Sequence, residues 1–88
     1  MITPELRPAH LTHLTQYGRR IQWVYANGSE WIPLDPRAQY HIEQLWNTNS
    51  SYWIQSDSRN FNGPIYVDIS NMCLLFNRNA YSIARQLH

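Results

Sequence analysis

The stretch Glu30-Trp-Ile-Pro-Leu-Asp-Pro-Arg-Ala-Gln-Tyr-His-Ile-Glu-Gln-Leu-Trp46 decides how this chain is read, because an extended segment turns into a helix across the single step Asp35-Pro36. An aspartate at that point can accept an N–H from the first helical turn. A proline directly after it gives up a donor that would have had no partner there anyway. The following apolar residues Ala38, Ile42, Leu45 and Trp46 recur at i, i+4, i+7 and i+8. They form one stripe that has to be covered by something else in the fold. The expected helix runs from about Pro36 to Trp46, with Glu43 just off the centre of the stripe. Asn47-Thr-Asn-Ser-Ser51 then offers side chains that compete for backbone hydrogen bonds and end it.

Upstream, Ile21, Trp23 and Tyr25 alternate with Gln22 and Val24, the period of a strand. Asn27-Gly28 supplies residues suited to a tight hairpin, and Glu30–Leu34 reads as its second strand. Trp31 lies eight residues after Trp23. The two rings share a face only if the hairpin register permits, and otherwise serve opposite faces. Downstream come a strand over Tyr52–Ser56, a polar loop over Asp57–Asn62, a turn at Gly63-Pro64 and a strand over Ile65–Ile69. A further strand covers Met72–Phe76, a turn Asn77–Asn79, and a last strand Ala80–Arg85. About six short strands and one helix predict an α+β domain, a curved antiparallel sheet packed on the helix. Residues 1–19, with Pro4 and Pro8, read as a leader outside this domain, holding at best a short helix after Pro8; residues 20–88 form the domain.

Eighty-eight residues give room for one core, and a content of 14% aromatic residues supplies large buried areas per residue in place of disulfides. The lone Cys73 cannot form an internal bridge, and its apolar flanks do not suggest an activated thiolate. No apolar run approaches the roughly 20 residues needed to span a bilayer. The expected setting is intracellular, cytoplasmic or nuclear. Seven arginines against six acidic residues leave a net charge of +1, far from the basic excess of a nonspecific nucleic-acid binder. His10 and His13 share a helical spacing but lack further ligands, so no metal and no cofactor is expected. No second carboxylate is spaced to work with Glu43, and three glycines make no phosphate loop, so no catalytic role is expected.

The order Trp-Val-Tyr, turn, Glu-Trp-Ile-Pro-Leu-Asp, then Tyr-His-Ile-Glu on a helix, Tyr-Val-Asp-Ile-Ser-Asn-Met and finally Ile-Ala-Arg resembles the WWE domain family from about Gln22 to Arg85. Trp23, Trp31 and Glu43 are the residues corresponding to its signature. The resemblance implies a half-barrel with one helix across it and a cleft at one end. In several members that cleft binds ADP-ribose or units of poly(ADP-ribose). Such domains are appended as readers to ubiquitin ligases and ADP-ribosyltransferases, whose domains are the implied partners.

Carried over position by position, the resemblance implies ligand contacts from Tyr25, which would flank adenine, and from Arg85, which would hold phosphate. Tyr66 stands one place out of register with a family tyrosine whose own position holds Ile65, and fills that role only across a bulge. A glutamine that reads the ligand corresponds to Leu74, and a phosphate-binding arginine to Tyr81. Arg78 on the last turn, or Arg59 on the polar loop, could approach phosphate from a new direction. On burial grounds Trp23 and Trp31 are expected to be core and sheet-packing residues, and Trp46 and Trp53 to sit at the core edge. Glu43 is expected to accept hydrogen bonds from backbone or from an indole N–H. Two functions follow: a module that reads ADP-ribose weakly or in an altered mode, or a domain with a non-functional pocket acting in protein interaction or as structural support.

Overall fold

A computed structural model describes residues Arg20–His88; the leader, with the short helix expected after Pro8 and the pair His10 and His13, lies outside the described residues. The elements are β1 (Ile21–Ala26), β2 (Trp31–Pro33), α1 (Pro36–Thr48), β3 (Tyr52–Ser56), β4 (Gly63–Asp68), β5 (Cys73–Phe76) and β6 (Asn79–Leu87). The strands form one antiparallel sheet in the order β2-β1-β6-β5-β4-β3, which does not close on itself. β6 is the longest strand. Its first half pairs with β5, from Phe76↔Asn79 to Cys73↔Ser82, and its second half with β1, from Tyr25↔Ile83 to Ile21↔Leu87. The expected α+β half-barrel on one helix is the fold observed.

The helix begins where the sequence requires. Asp35 Oδ2 accepts the Ala38 N–H at 3.1 Å, and its other oxygen accepts Ser56 Oγ at 2.7 Å, tying the start of α1 to the end of β3. At the far end Asn49 adopts a left-handed conformation (φ 53°), and its N–H returns to the carbonyls of Leu45 and Trp46. The helix therefore runs two residues past Trp46. Its buried residues are Ala38, Gln39, Ile42 and Glu43, whereas Trp46 is 40% exposed. The stripe is thus turned toward Gln39 and Glu43, because both polar side chains find partners on β1. Gln39 Oε1 accepts the backbone N–H of Trp23 at 2.9 Å while its Nε2 donates to the Leu34 carbonyl at 2.7 Å.

The concave face holds Ile21, Trp23, Tyr25, Ile65, Val67, Ile69, Leu74 and Ile83, packed against Leu34, Ala38, Ile42 and Phe61. Three expectations change here. Gly63 and Pro64 are not a separate turn but the first residues of β4, opposite Ser56 and Gln55. Trp31 is 49% exposed and not a core residue. The register explains it: Trp31 lies opposite Ala26, so it shares the face of Val24, while Trp23 and Tyr25 point to the other. Trp53, at 58% exposed, is likewise further out than the core edge.

The turn between β4 and β5 depends on Asp68. Its carboxylate accepts Ser70 Oγ at 2.7 Å, Asn71 Nδ2 at 2.8 Å and the Asn71 N–H at 3.2 Å. The Asn71 side chain first, then Ser70, hold its pKa below the ordinary 3.8. A carboxylate depressed in this way contributes stability that is present above its unfolded pKa and lost as pH falls through its folded one. The Asp68→Asn variant is accordingly expected to be less stable than the parent at neutral pH, with the gap narrowing below about pH 4. Urea unfolding of both proteins at pH 7 and pH 3 measures it.

Candidate functional site

Tyr25 is on the concave face with Trp23, but the residue is only 2% exposed. Phe61 meets it edge-on at 4.6 Å between centroids, and Tyr81 at 6.2 Å. Phe61 in turn contacts Tyr81 at 4.9 Å and Phe76 at 5.5 Å. The Tyr25 hydroxyl accepts Asn60 Nδ2 at 2.7 Å. These residues come from β1, β5, β6 and the 57–62 loop, and they form a plug of aromatic rings around Tyr25. A base stacked on an aromatic ring gains about 1–3 kcal/mol. Driving Phe61, 1% exposed, from its place costs about 3–5 kcal/mol on the scale of a deleted core aromatic. The plug wins that comparison.

Arg85 is also on the concave face, opposite Trp23, and its side chain reaches α1. Its Nε donates to Glu43 Oε1 at 3.0 Å and its Nη2 to Oε2 at 2.7 Å. Trp23 Nε1 donates to the same Oε1 at 2.8 Å, so Glu43 accepts an indole N–H as expected. The Arg85 guanidinium lies 5.3 Å from the centroid of the Trp46 ring, which is itself edge-on to Trp23 at 5.8 Å. The hydrogen bond to Glu43, outweighing partial burial, raises the Arg85 pKa above its already high ordinary value. Turning Arg85 to a phosphate gains about 1.5–3 kcal/mol per charged hydrogen bond. It leaves Glu43, 8% exposed, as an unpaired buried charge at about 3–5 kcal/mol. The guanidinium stays where it is.

The other two positions are placed elsewhere. β3 and β4 pair without interruption through Tyr52↔Val67, Trp53↔Tyr66 and Ile54↔Ile65, so no bulge rotates Tyr66 inward. Ile65 faces the core and Tyr66 the outer face, where its ring meets Trp53 at 5.4 Å. Arg78 is exposed in the two-residue turn between β5 and β6, with left-handed φ at both Asn77 (49°) and Arg78 (68°). Arg59 is exposed on the 57–62 loop. Leu74 is fully buried and Tyr81 belongs to the plug. The structure therefore does not bring Tyr25, Tyr66, Arg78 and Arg85 to one cleft.

Gln39 and Phe61 escaped the reading of the sequence. Gln39 stands four residues before Glu43, which puts both polar side chains on the buried face of α1; that spacing is the signal. Phe61 is the one aromatic in an otherwise polar segment, Asp57–Asn62, and an isolated aromatic of that kind is an anchor as readily as a loop residue.

A second feature lies on the far side of α1. A groove of about 320 Å³ separates the helix from β3, lined by His41, Gln44 and Leu45 on one side and Tyr52–Gln55 on the other. Tyr52 is 67% exposed, and His41 Nδ1 is buried without a hydrogen-bond partner among the described residues. Among the described residues no cluster of three His, Cys, Asp or Glu side chains could hold a metal, and no helix is long and apolar enough to cross a membrane. The Cys73 thiol has its pKa raised, by burial first and by Asp68 second, and is not an activated nucleophile. Comparison with protein-family models gives no match, and no curated protein matches the chain.

Proposed function

We propose that this chain is a non-catalytic recognition domain of the WWE type whose nucleotide cleft is filled and whose ligand is another protein. The observation that carries the reading is the burial of Tyr25 beneath Phe61 and Tyr81, seconded by the commitment of Arg85 to Glu43. Both residues that would hold an ADP-ribose unit are spent on the fold. The six-stranded open sheet on one helix supports the reading at the level of fold. By the same resemblance the natural context is a protein of ubiquitin or ADP-ribose signalling, in which such a domain docks a partner or supports a neighbouring domain.

Calorimetric titration with ADP-ribose, iso-ADP-ribose and ATP tests this. The expected outcome is no saturable heat at ligand concentrations up to about 1 mM, the regime of about −4 kcal/mol. A dissociation constant in the micromolar range for any of the three would restore the ADP-ribose reading and remove the one proposed here.

A further inference from the structure

We infer that the open edge of β3, with the groove between it and α1, binds an extended peptide segment of a partner protein as an added strand. The inference rests on the proposal that the ligand is a protein, and goes beyond it by naming the surface and the chemistry.

Among the described residues the sheet has two edges, β2 and β3, and they are not alike. β2 has three residues and ends in Pro33, a short and proline-marked edge of the kind that resists further pairing. β3 has five, Tyr-Trp-Ile-Gln-Ser, with no charge and no proline, so none of the usual protections is present. Which of its backbone groups face outward follows from Pro64. That residue pairs with Gln55 and has no N–H to exchange, so Gln55–Pro64 is a non-hydrogen-bonded pair. By alternation Tyr52, Ile54 and Ser56 bond to β4, and the N–H and C=O of Trp53 and Gln55 turn to the open edge. The Ile69 N–H, two residues on from Val67, points to the same side of β4 as expected and donates to Ser51 Oγ at 2.9 Å.

An open strand edge is complemented by a strand. A second folded copy of this domain is a poor candidate. With about 150–250 Å² per aromatic side chain, the exposed parts of Tyr52 and Trp53 offer roughly 250 Å², against about 800 Å² per partner in a stable pair. A flexible peptide needs less, because main-chain hydrogen bonds to Trp53 and Gln55 supply affinity while alternate side chains enter the groove. The groove lining carries no Asp, Glu, Lys or Arg, so the inserted side chain is apolar and uncharged. The partner is thus an extended segment of about five residues with an apolar residue at alternate positions.

The test is selection of peptides from a randomised 12-residue display library against the whole chain, followed by NMR titration of the most enriched synthetic peptide. The expected result is enrichment of sequences with alternating apolar residues, with shifts at His41, Leu45 and Trp53–Gln55. Gln55→Pro removes one outward N–H without touching the β4 ladder, and is expected to weaken binding about fivefold to tenfold with an otherwise unchanged spectrum. Gln55→Thr should stay within about twofold, and Tyr52→Lys, which brings a charge into the uncharged groove lining, should abolish binding. Shifts clustered elsewhere, or a peptide indifferent to Gln55→Pro, would overturn the β3 site while leaving a protein ligand standing. Sedimentation of the chain as a tight dimer that Tyr52→Lys dissociates would also overturn it, in favour of a second copy. No enrichment together with saturable iso-ADP-ribose binding would remove the functional reading itself.

Discussion

Glu43→Ala is expected to cost about 3–5 kcal/mol, enough to leave much of a domain of this size unfolded at room temperature. One carboxylate accepts three hydrogen bonds from two elements: the Trp23 indole on β1, and both Nε and Nη2 of Arg85 on β6. Removing it leaves a guanidinium that is 22% exposed and an indole N–H in a fully buried residue, neither with a replacement partner. The loss is that of stranded donors and of an uncompensated charge, more than of the pair's own attraction. Glu43→Gln separates these contributions. Its amide oxygen can still take the indole N–H, so its cost should fall to about 1–3 kcal/mol. Removing both ends, as in the Glu43→Leu and Arg85→Met double variant, should be milder than Glu43→Ala alone, since apolar replacement of a buried pair is often neutral. Urea unfolding followed by circular dichroism gives all three values. A loss below about 1 kcal/mol for Glu43→Ala would show that the three hydrogen bonds do not hold in solution.

Trp23→Ala is expected to have an effect of the same size, about 3–5 kcal/mol, and Trp31→Ala only about 1–2 kcal/mol. Both tryptophans carry the proposed resemblance, yet Trp23 is fully buried and Trp31 is 49% exposed. Trp23 fills the space between β1 and α1, meets Trp46 edge-on and gives its N–H to Glu43. Trp31 is on the opposite face of a three-residue edge strand. Trp23→Phe retains most of the burial and leaves Glu43 with the two bonds from Arg85, so about 1–3 kcal/mol is expected. Equal losses for the two alanine variants in thermal or urea unfolding would contradict the register of β1 against β2.

Local signals made the fold legible. Asp35-Pro36 set the start of α1, Asn27-Gly28 placed the first hairpin, and alternation in Ile21–Tyr25 and Ile65–Ile69 gave the two strands that dominate the core. Glu43 as an acceptor for an indole N–H was also readable, since a carboxylate on a buried helix face has few other uses. The donors were not. Arg85 is 42 residues away and reaches Glu43 only because β6 lies beside β1 in one particular register, which no local pattern encodes. The faces of Trp31 and Tyr66 were open for the same reason, because a shift of one residue in pairing reverses every side chain. The burial of Tyr25 depends on Phe61, a loop residue whose place is fixed by tertiary packing, so a position that reads as a stacking platform is a core position.

The proposal that Tyr25 and Arg85 are held by the fold and not by a ligand is tested most directly by the Arg85 Nε–H resonance in a ¹H–¹⁵N spectrum recorded with and without about 1 mM iso-ADP-ribose. A guanidinium held by Glu43 gives a slowly exchanging signal that stays in place, with the amides of Tyr25, Phe61 and Tyr81 equally unmoved. A saturable shift of that signal together with those of Tyr25 and Phe61 would mean that the plug opens and the arginine is released, contrary to the structure described above.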